Sequence, residues 1–211
     1  MSNIRRIAVV GCGGINSWAI KHLHDVCKIF EKEKLIFVKL FDKDEVEEKN
    51  LLRSNQNFEV EDLMQQKAKV LGKRYNFDFN ETFITEENLE LLKHFDDIIL
   101  GVDNHKTRQL IYKFALENDK YLLDLRAQGT LMGFTIVNGT EHKHDMEYYN
   151  SKYFKNADVM DRKGSCQLQR DITDDHIENG NKIISHFGVY GIYFKKLRGE
   201  SVSTDEWKFV Y

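Results

Sequence analysis

The chain has 211 residues, enough for one α/β domain with a sizeable core and too few for two full ones. Lys and Arg number 31 against 34 Asp and Glu, a formal net charge of -3, which argues against a generic binder of nucleic-acid backbone, since such proteins carry a basic excess or stripe. No apolar run reaches the length of a membrane span and no signal or transit segment is visible, so the expected location is the cytoplasm.

In chain order, Arg6–Val10 (RIAVV) reads as a short buried strand that Gly11-Cys12-Gly13-Gly14 ends. Ile15–Phe30 has apolar residues at helical spacing, and Leu35–Phe41 is a second strand. Val60–Tyr75 predicts a helix, Phe79–Ile84 a strand, Glu86–Phe95 a helix, Asp97–Val102 a fourth strand and Lys106–Glu117 a helix. Strands near Tyr121–Leu125 and Gly129–Val137 follow, joined tightly enough to form an antiparallel edge. After Asn138-Gly139 the segment Thr140–Arg170 is polar, charged and aromatic with no sustained period, which marks a loop that is either functional or disordered. Asp174–Leu197 closes the pattern as a helix with Thr173 as N-cap and Gly199 beyond its end. Alternating strands and helices imply a Rossmann-like, doubly wound, mostly parallel α/β sheet with a C-terminal helix. A single domain over 1–211 is expected: a nucleotide-binding core 1–138, a crossover loop 139–172, and a C-terminal helix and tail 173–211.

The chemistry gathers where strands end. Gly11-x-Gly13-Gly14-x-Asn16-Ser17 lies between a strand and a helix, where backbone N–H groups and the helix N-terminus bind phosphate. Asp42 ends the second strand, the place of a ribose-binding acid in dinucleotide folds. A nicotinamide site would be complete there, but this chain continues with Asp44, Asn50, Arg53 and Lys67, then Asp103-Asn104 and Arg108 after the fourth strand. A glycine loop, two cationic heads and a carboxylate able to hold Mg²⁺ suit a triphosphate. On this reading the two acids Asp42 and Asp44 divide ribose and metal duties, while Asn50 and Arg53 grip the outer phosphates.

The combination resembles the ThiF/MoeB family, the adenylating domain shared with ubiquitin-activating enzymes. It rests on Asp42-Lys43-Asp44-Glu45-Val46, Asn50-Leu51-Leu52-Arg53, Lys67 and Asp103-Asn104-x-x-x-Arg108, and spans about residues 5 to 138. The resemblance implies an ATP-dependent adenylyltransferase that activates a C-terminal carboxylate as acyl-AMP and releases pyrophosphate. Asp42 would bind ribose, Arg53 and Lys67 the phosphates, and Asp103 the Mg²⁺. The substrate would be a ubiquitin-like or sulfur-carrier protein or a peptide, with tRNA the least favoured. A homodimer is expected from the resemblance and from Gly188 and Gly191, whose spacing allows close approach of another helix.

The chain also departs from the family pattern. Asn16 replaces the last glycine of the loop, Ser54 the glutamine after the arginine, and Lys67 is displaced by one residue. Arg5 and Arg6 lie too close to the first strand to stand in for the arginine that several relatives offer to a partner subunit's ATP. Cys12, Cys27 and Cys166 form no disulfide framework and no zinc pair. Cys166, in Gly164-Ser165-Cys166-Gln167, occupies the region where some relatives carry an acyl-accepting cysteine, and an ordinary loop cysteine is the alternative. Two other classes remain open at this level: a nicotinamide-dependent oxidoreductase, which would leave Arg53, Lys67 and Asp103 idle, and a non-catalytic ATP-binding module, motivated by the departures.

Overall fold

The computed structural model describes residues 4–32, 35–51, 56–128, 131–139, 146–150, 154, 176–202 and 206–210. Seven strands form one sheet: β1 (Ile4–Val10), β2 (Leu35–Phe41), β3 (Asp78–Asn80), β4 (Asp97–Leu100), β5 (Tyr121–Gln128), β6 (Leu131–Asn138) and β7 (Glu206–Val210). Their order is β3-β2-β1-β4-β5-β6-β7. Pairing is parallel from β3 to β5, and antiparallel between β5 and β6 and between β6 and β7. The doubly wound α/β fold read from the sequence is therefore present, and β7 adds an edge strand where a tail was expected.

Successive residues of β1 are buried on opposite faces. Ile7 and Val9 join one apolar layer, and Ala8 and Val10 the other. That two-sided burial is what an unbroken apolar run such as RIAVV provides. Helix α1 (Gly14–Phe30) lies on the first face, burying Ile15, Ala19, Ile20, Leu23, Val26 and Phe30. Helix α3 (Lys67–Tyr75) shares that face, while α4 (His105–Glu117) covers the other with Ile111, Tyr112 and Ala115. Two short helices, α2 (Glu48–Leu51) and α5 (Met146–Tyr149), complete the set among the described residues before the C-terminal helix α6 (His176–His186). A π-helical stretch, Phe187–Tyr193, and a last α turn, Phe194–Leu197, continue α6.

Three elements differ from the sequence expectation. The helix expected over Val60–Tyr75 is a short 3-10 turn, Val60–Asp62, and then α3, because Met64 adopts a left-handed conformation at φ 62°. The strand expected to Ile84 stops at Asn80, and Glu86–Leu92 is 3-10 rather than α-helical.

The C-terminal helix runs parallel to α1, since its contacts climb in step. Lys182 lies over Trp18, His186 meets His22, Tyr190 reaches Asp25, and Phe194 packs on Phe30. Its far end is clasped to the amino edge of the sheet by Asp97. That fully buried carboxylate accepts from Arg5 Nε at 2.6 Å and Tyr193 Oη at 2.6 Å, and pairs with Lys196 Nζ at 2.9 Å. Gly188 approaches Leu125 of β5, where an added Cβ would stand 2.6 Å from a methyl. The close approach read from Gly188 is thus to the chain's own sheet.

Candidate functional site

The strand order reverses between β1 and its neighbours β2 and β4, and open α/β sheets hold ligands at the carboxyl ends of strands at such a switch point. The glycine loop leaves β1 there. Gly11 has φ +82°, a region open to glycine at no steric cost, and its N–H donates to Phe41 O of β2 at 2.9 Å. Gly13 is the N-cap of α1 with no side-chain cap, and a Cβ on it would meet nothing within 4 Å among the described residues. The first-turn N–H groups of α1 therefore face an open side without intrahelical acceptors, an arrangement that favours an anion. Gly14 is glycine for another reason: a Cβ would stand 2.6 Å from Asn181 Nδ2 of the C-terminal helix.

Asp42 joins the loop to β2. Its Oδ2 accepts the Cys12 N–H at 2.6 Å, and its Oδ1 accepts the Asp44 N–H at 2.7 Å. Burial raises the Asp42 pKa, and those two hydrogen bonds oppose the rise. Each carboxylate oxygen keeps a lone pair for a hydroxyl donor such as ribose.

A small antiparallel ladder then brings a distant segment to Asp44. The N–H of Val46 donates to Gln65 O at 2.9 Å, that of Met64 to Val46 O at 2.9 Å, and that of Lys67 to Asp44 O at 2.8 Å. The ladder starts α3 at Lys67, so a helix running through from Val60 is not formed. Lys67 is buried, and its Nζ lies 3.7 Å from Asp44 Oδ2, whose side chain is half exposed. Asn50 is buried in α2, where its Oδ1 accepts the Glu47 N–H at 2.8 Å and shapes the turn before it.

Arg53 and Ser54 lie outside the described residues, as does Cys166. The described flank after Arg53 is firmly anchored. The Asn57 N–H donates to Ser17 Oγ at 3.0 Å, its Nδ2 donates to Tyr75 Oη at 2.7 Å, and its carbonyl accepts from Arg74 Nη1 at 2.7 Å. Ser17 closes the glycine-loop motif, but nothing in the spacing of the sequence singled out Asn57.

Past β4, Asp103 is exposed in the turn leading to α4. Asn104 caps that helix, its Oδ1 accepting the Thr107 N–H at 2.7 Å. Arg108 is buried and turned inward, ion-paired to Asp124 and donating to Val102 O. Asp124, fully buried in β5, also accepts from Arg126 Nε at 2.7 Å and Tyr112 Oη at 2.8 Å. Beyond Arg108 in the Asp-Asn-x-x-x-Arg pattern, the sequence signal for this network is an acid and an arginine two apart in the apolar strand LLDLR. Neither of the described cysteines offers a ready thiolate: burial pushes Cys12 well above its ordinary pKa and Cys27 up to about 12.

The structure thus gathers the glycine loop, Asp42, Asp44, Asn50, Lys67, Asp103 and Asn104 at one sheet edge. Residues 2–174 match the ThiF family, and the chain belongs to that family. A search of curated proteins finds no match. Among solved structures, selenomethionine PaaA is similar with a TM-score of 0.69 at 17% identity, covering 98% of this chain and 69% of PaaA. E. coli MccB with ATP is similar with a TM-score of 0.66 at 13% identity, covering 98% of this chain and 60% of MccB. E. coli MccB with AMPCPP and selenomethionine MccA gives a TM-score of 0.68 at 13% identity, again covering 98% of this chain and 60% of MccB. At these identities the likeness is one of fold. The chain spans about 60% of the length of MccB.

Proposed function

We propose that the chain binds Mg-ATP and transfers its adenylyl group to a carboxylate, that of a peptide or of a small carrier protein's C-terminus. The observation that carries this reading is the ladder between residues 44–46 and 64–67, which sets Lys67 beside Asp44 at the same edge as the glycine loop and Asp42. A nicotinamide site is complete with the glycine loop and Asp42 and does not require that cation. The carboxylate oxygen attacks the α-phosphorus, the bond from that phosphorus to the bridging oxygen breaks, and pyrophosphate leaves. No general base is required, because the nucleophile is already ionised. The contribution of the protein is positioning and charge neutralisation.

Among the described residues no three His, Cys, Asp or Glu side chains form a metal cluster. That suits Mg²⁺, which takes one or two carboxylates and draws its remaining ligands from phosphates and water. Asp103, exposed at the end of β4, is the carboxylate that would hold it, and the ion would supply neutralisation of phosphate charge. ATP-bound MccB and its complex with MccA support a peptide as one substrate class.

The deciding measurement is ATP–pyrophosphate exchange with candidate peptides and carrier proteins, set beside calorimetry with ATP and NAD. Exchange with one carboxylate class, and ATP bound more tightly than NAD, is the expected result; tighter NAD binding would overturn it. The same reading includes a homodimer, against which a monomeric sedimentation mass at micromolar concentration would count.

A further inference from the structure

The glycine loop lacks the glycine that usually completes it, and Asn16 stands in its place. We propose that Asn16 and Gly101 form a size-matched pair that replaces the missing glycine: Gly101 supplies the close approach, and the Asn16 amide holds the loop in its phosphate-binding shape. This rests on the reading of the site as a nucleoside triphosphate site, and it answers the possibility that Asn16 marks a site that has lost its ligand.

Asn16 is 0% exposed in the first turn of α1. Its Nδ2 donates to Val10 O at 3.1 Å and to Gly11 O at 2.8 Å. Val10 O also accepts the Gly101 N–H at 3.0 Å, so the ends of β1 and β4 and the start of α1 meet at one carbonyl. The Gly11 peptide is gripped from both sides, its N–H by Phe41 O and its C=O by Asn16. With φ at +82°, that residue sets the path of the loop, and its carbonyl dipole is occupied by an amide rather than presented to an incoming anion.

Gly101 makes the arrangement possible. A Cβ there would lie 2.5 Å from Asn16 Cγ, 2.6 Å from its Oδ1 and 2.7 Å from its Nδ2, flat against the whole amide. Its φ is not in the left-handed region, so what glycine contributes at 101 is space alone. In the usual fingerprint the third glycine lets helix and strand pack closely. Here that contact has moved to the end of the neighbouring strand. Asn16 Oδ1 is buried with no hydrogen-bond partner among the described residues. An unmade buried acceptor costs stability, so the amide is better explained by what it does to the loop than by what it adds to the fold. Asn16 is accordingly a positioning residue.

The test uses the full chain, calorimetry with Mg-ATP, and thermal unfolding with and without Mg-ATP, on Asn16→Gly, Gly101→Ala and the double variant. Asn16→Gly should weaken Mg-ATP binding about tenfold, the order expected on losing hydrogen bonds that fix a binding loop. Its melting temperature without nucleotide should fall by a few degrees, as for the loss of a buried side chain with two hydrogen bonds, and the nucleotide-induced rise should shrink as well. Gly101→Ala should weaken binding at least as much, because its methyl displaces the amide. The double variant should bind no worse than Asn16→Gly, because the methyl then has nothing to strike; such non-additivity is the signature of a contacting pair.

Additive penalties, or unchanged affinity with a lowered melting temperature in Asn16→Gly, would overturn the pairing. Should Gly101→Ala fail to fold, the double variant should fold again, and its failure to do so would also overturn it. If the wild-type chain binds no Mg-ATP, the proposed function falls along with the pair. If it binds and the penalties add, only the pair falls.

Discussion

Asp42 spends both carboxylate oxygens on backbone N–H groups, of Cys12 and of Asp44, so the remaining lone pairs are already oriented when a hydroxyl donor arrives. Asn104 and Arg108, by contrast, are occupied with structure: the first caps α4, and the second ties Asp124 to the turn after β4. The family-like Asp-Asn-x-x-x-Arg pattern therefore divides in this chain into one solvent-facing acid and two residues that build its platform. Asp103→Ala should abolish pyrophosphate exchange while moving the melting temperature by no more than about 2 °C, as for an exposed side chain without structural partners among the described residues. Exchange at the wild-type rate would remove Asp103 from the site.

Local propensity and tertiary demand part company between Val60 and Tyr75. Their composition favours a continuous helix, but the ladder with residues 44–46 pulls the chain through Met64 at φ 62°, with that side chain 82% exposed. A left-handed non-glycine residue costs about 1–2 kcal/mol, and glycine returns about 0.5–1 kcal/mol of that in unfolded-chain entropy. Met64→Gly should thus gain up to about 1 kcal/mol in a urea titration; a loss would show that the methionine side chain holds a contact.

The parallel pair α1 and α6 carries a pH dependence at His22. Burial, and then the charges of His186 and Lys21, lower its pKa from 6.5 to about 4, with Asp25 opposing. The folded chain resists protonation there while the unfolded chain accepts it at 6.5. The contribution is present in full above pH 6.5 and is lost as pH falls towards about 4. Replacing His22 with Leu should flatten that part of the stability profile, and an unchanged slope would refute the assignment.

For the whole molecule, the amino edge of the sheet and the ligand edge serve opposite ends of the same helices. Asp97 fastens β1, β4 and the end of the C-terminal helical segment through Arg5, Tyr193 and Lys196. This fixes the register in which Asn181 meets Gly14 at the other end. Asp97→Ala leaves two buried or half-buried cations without their partner and should cost about 3–5 kcal/mol in chemical denaturation. A loss below about 1 kcal/mol would show the clasp to be dispensable.

The sequence by itself determined the parallel core, because βαβ alternation and two-sided apolar strands such as RIAVV are short-range patterns, and handedness leaves few ways to wind them. It also placed Gly11, Asp42 and Asp103 at one edge, since each sits at or just beyond a strand end; Lys67 fell inside an expected helix, and the ladder brought it to that edge. What it did not contain was any pattern that pairs residues 44–46 with 64–67, seats Asn16 against Gly101, or sets Arg108, Tyr112 and Arg126 around Asp124. Those contacts join segments that no periodicity links. Backbone hydrogen bonds that must be satisfied on burial, and side chains that must share one volume, decide them only once the sheet has brought the segments together.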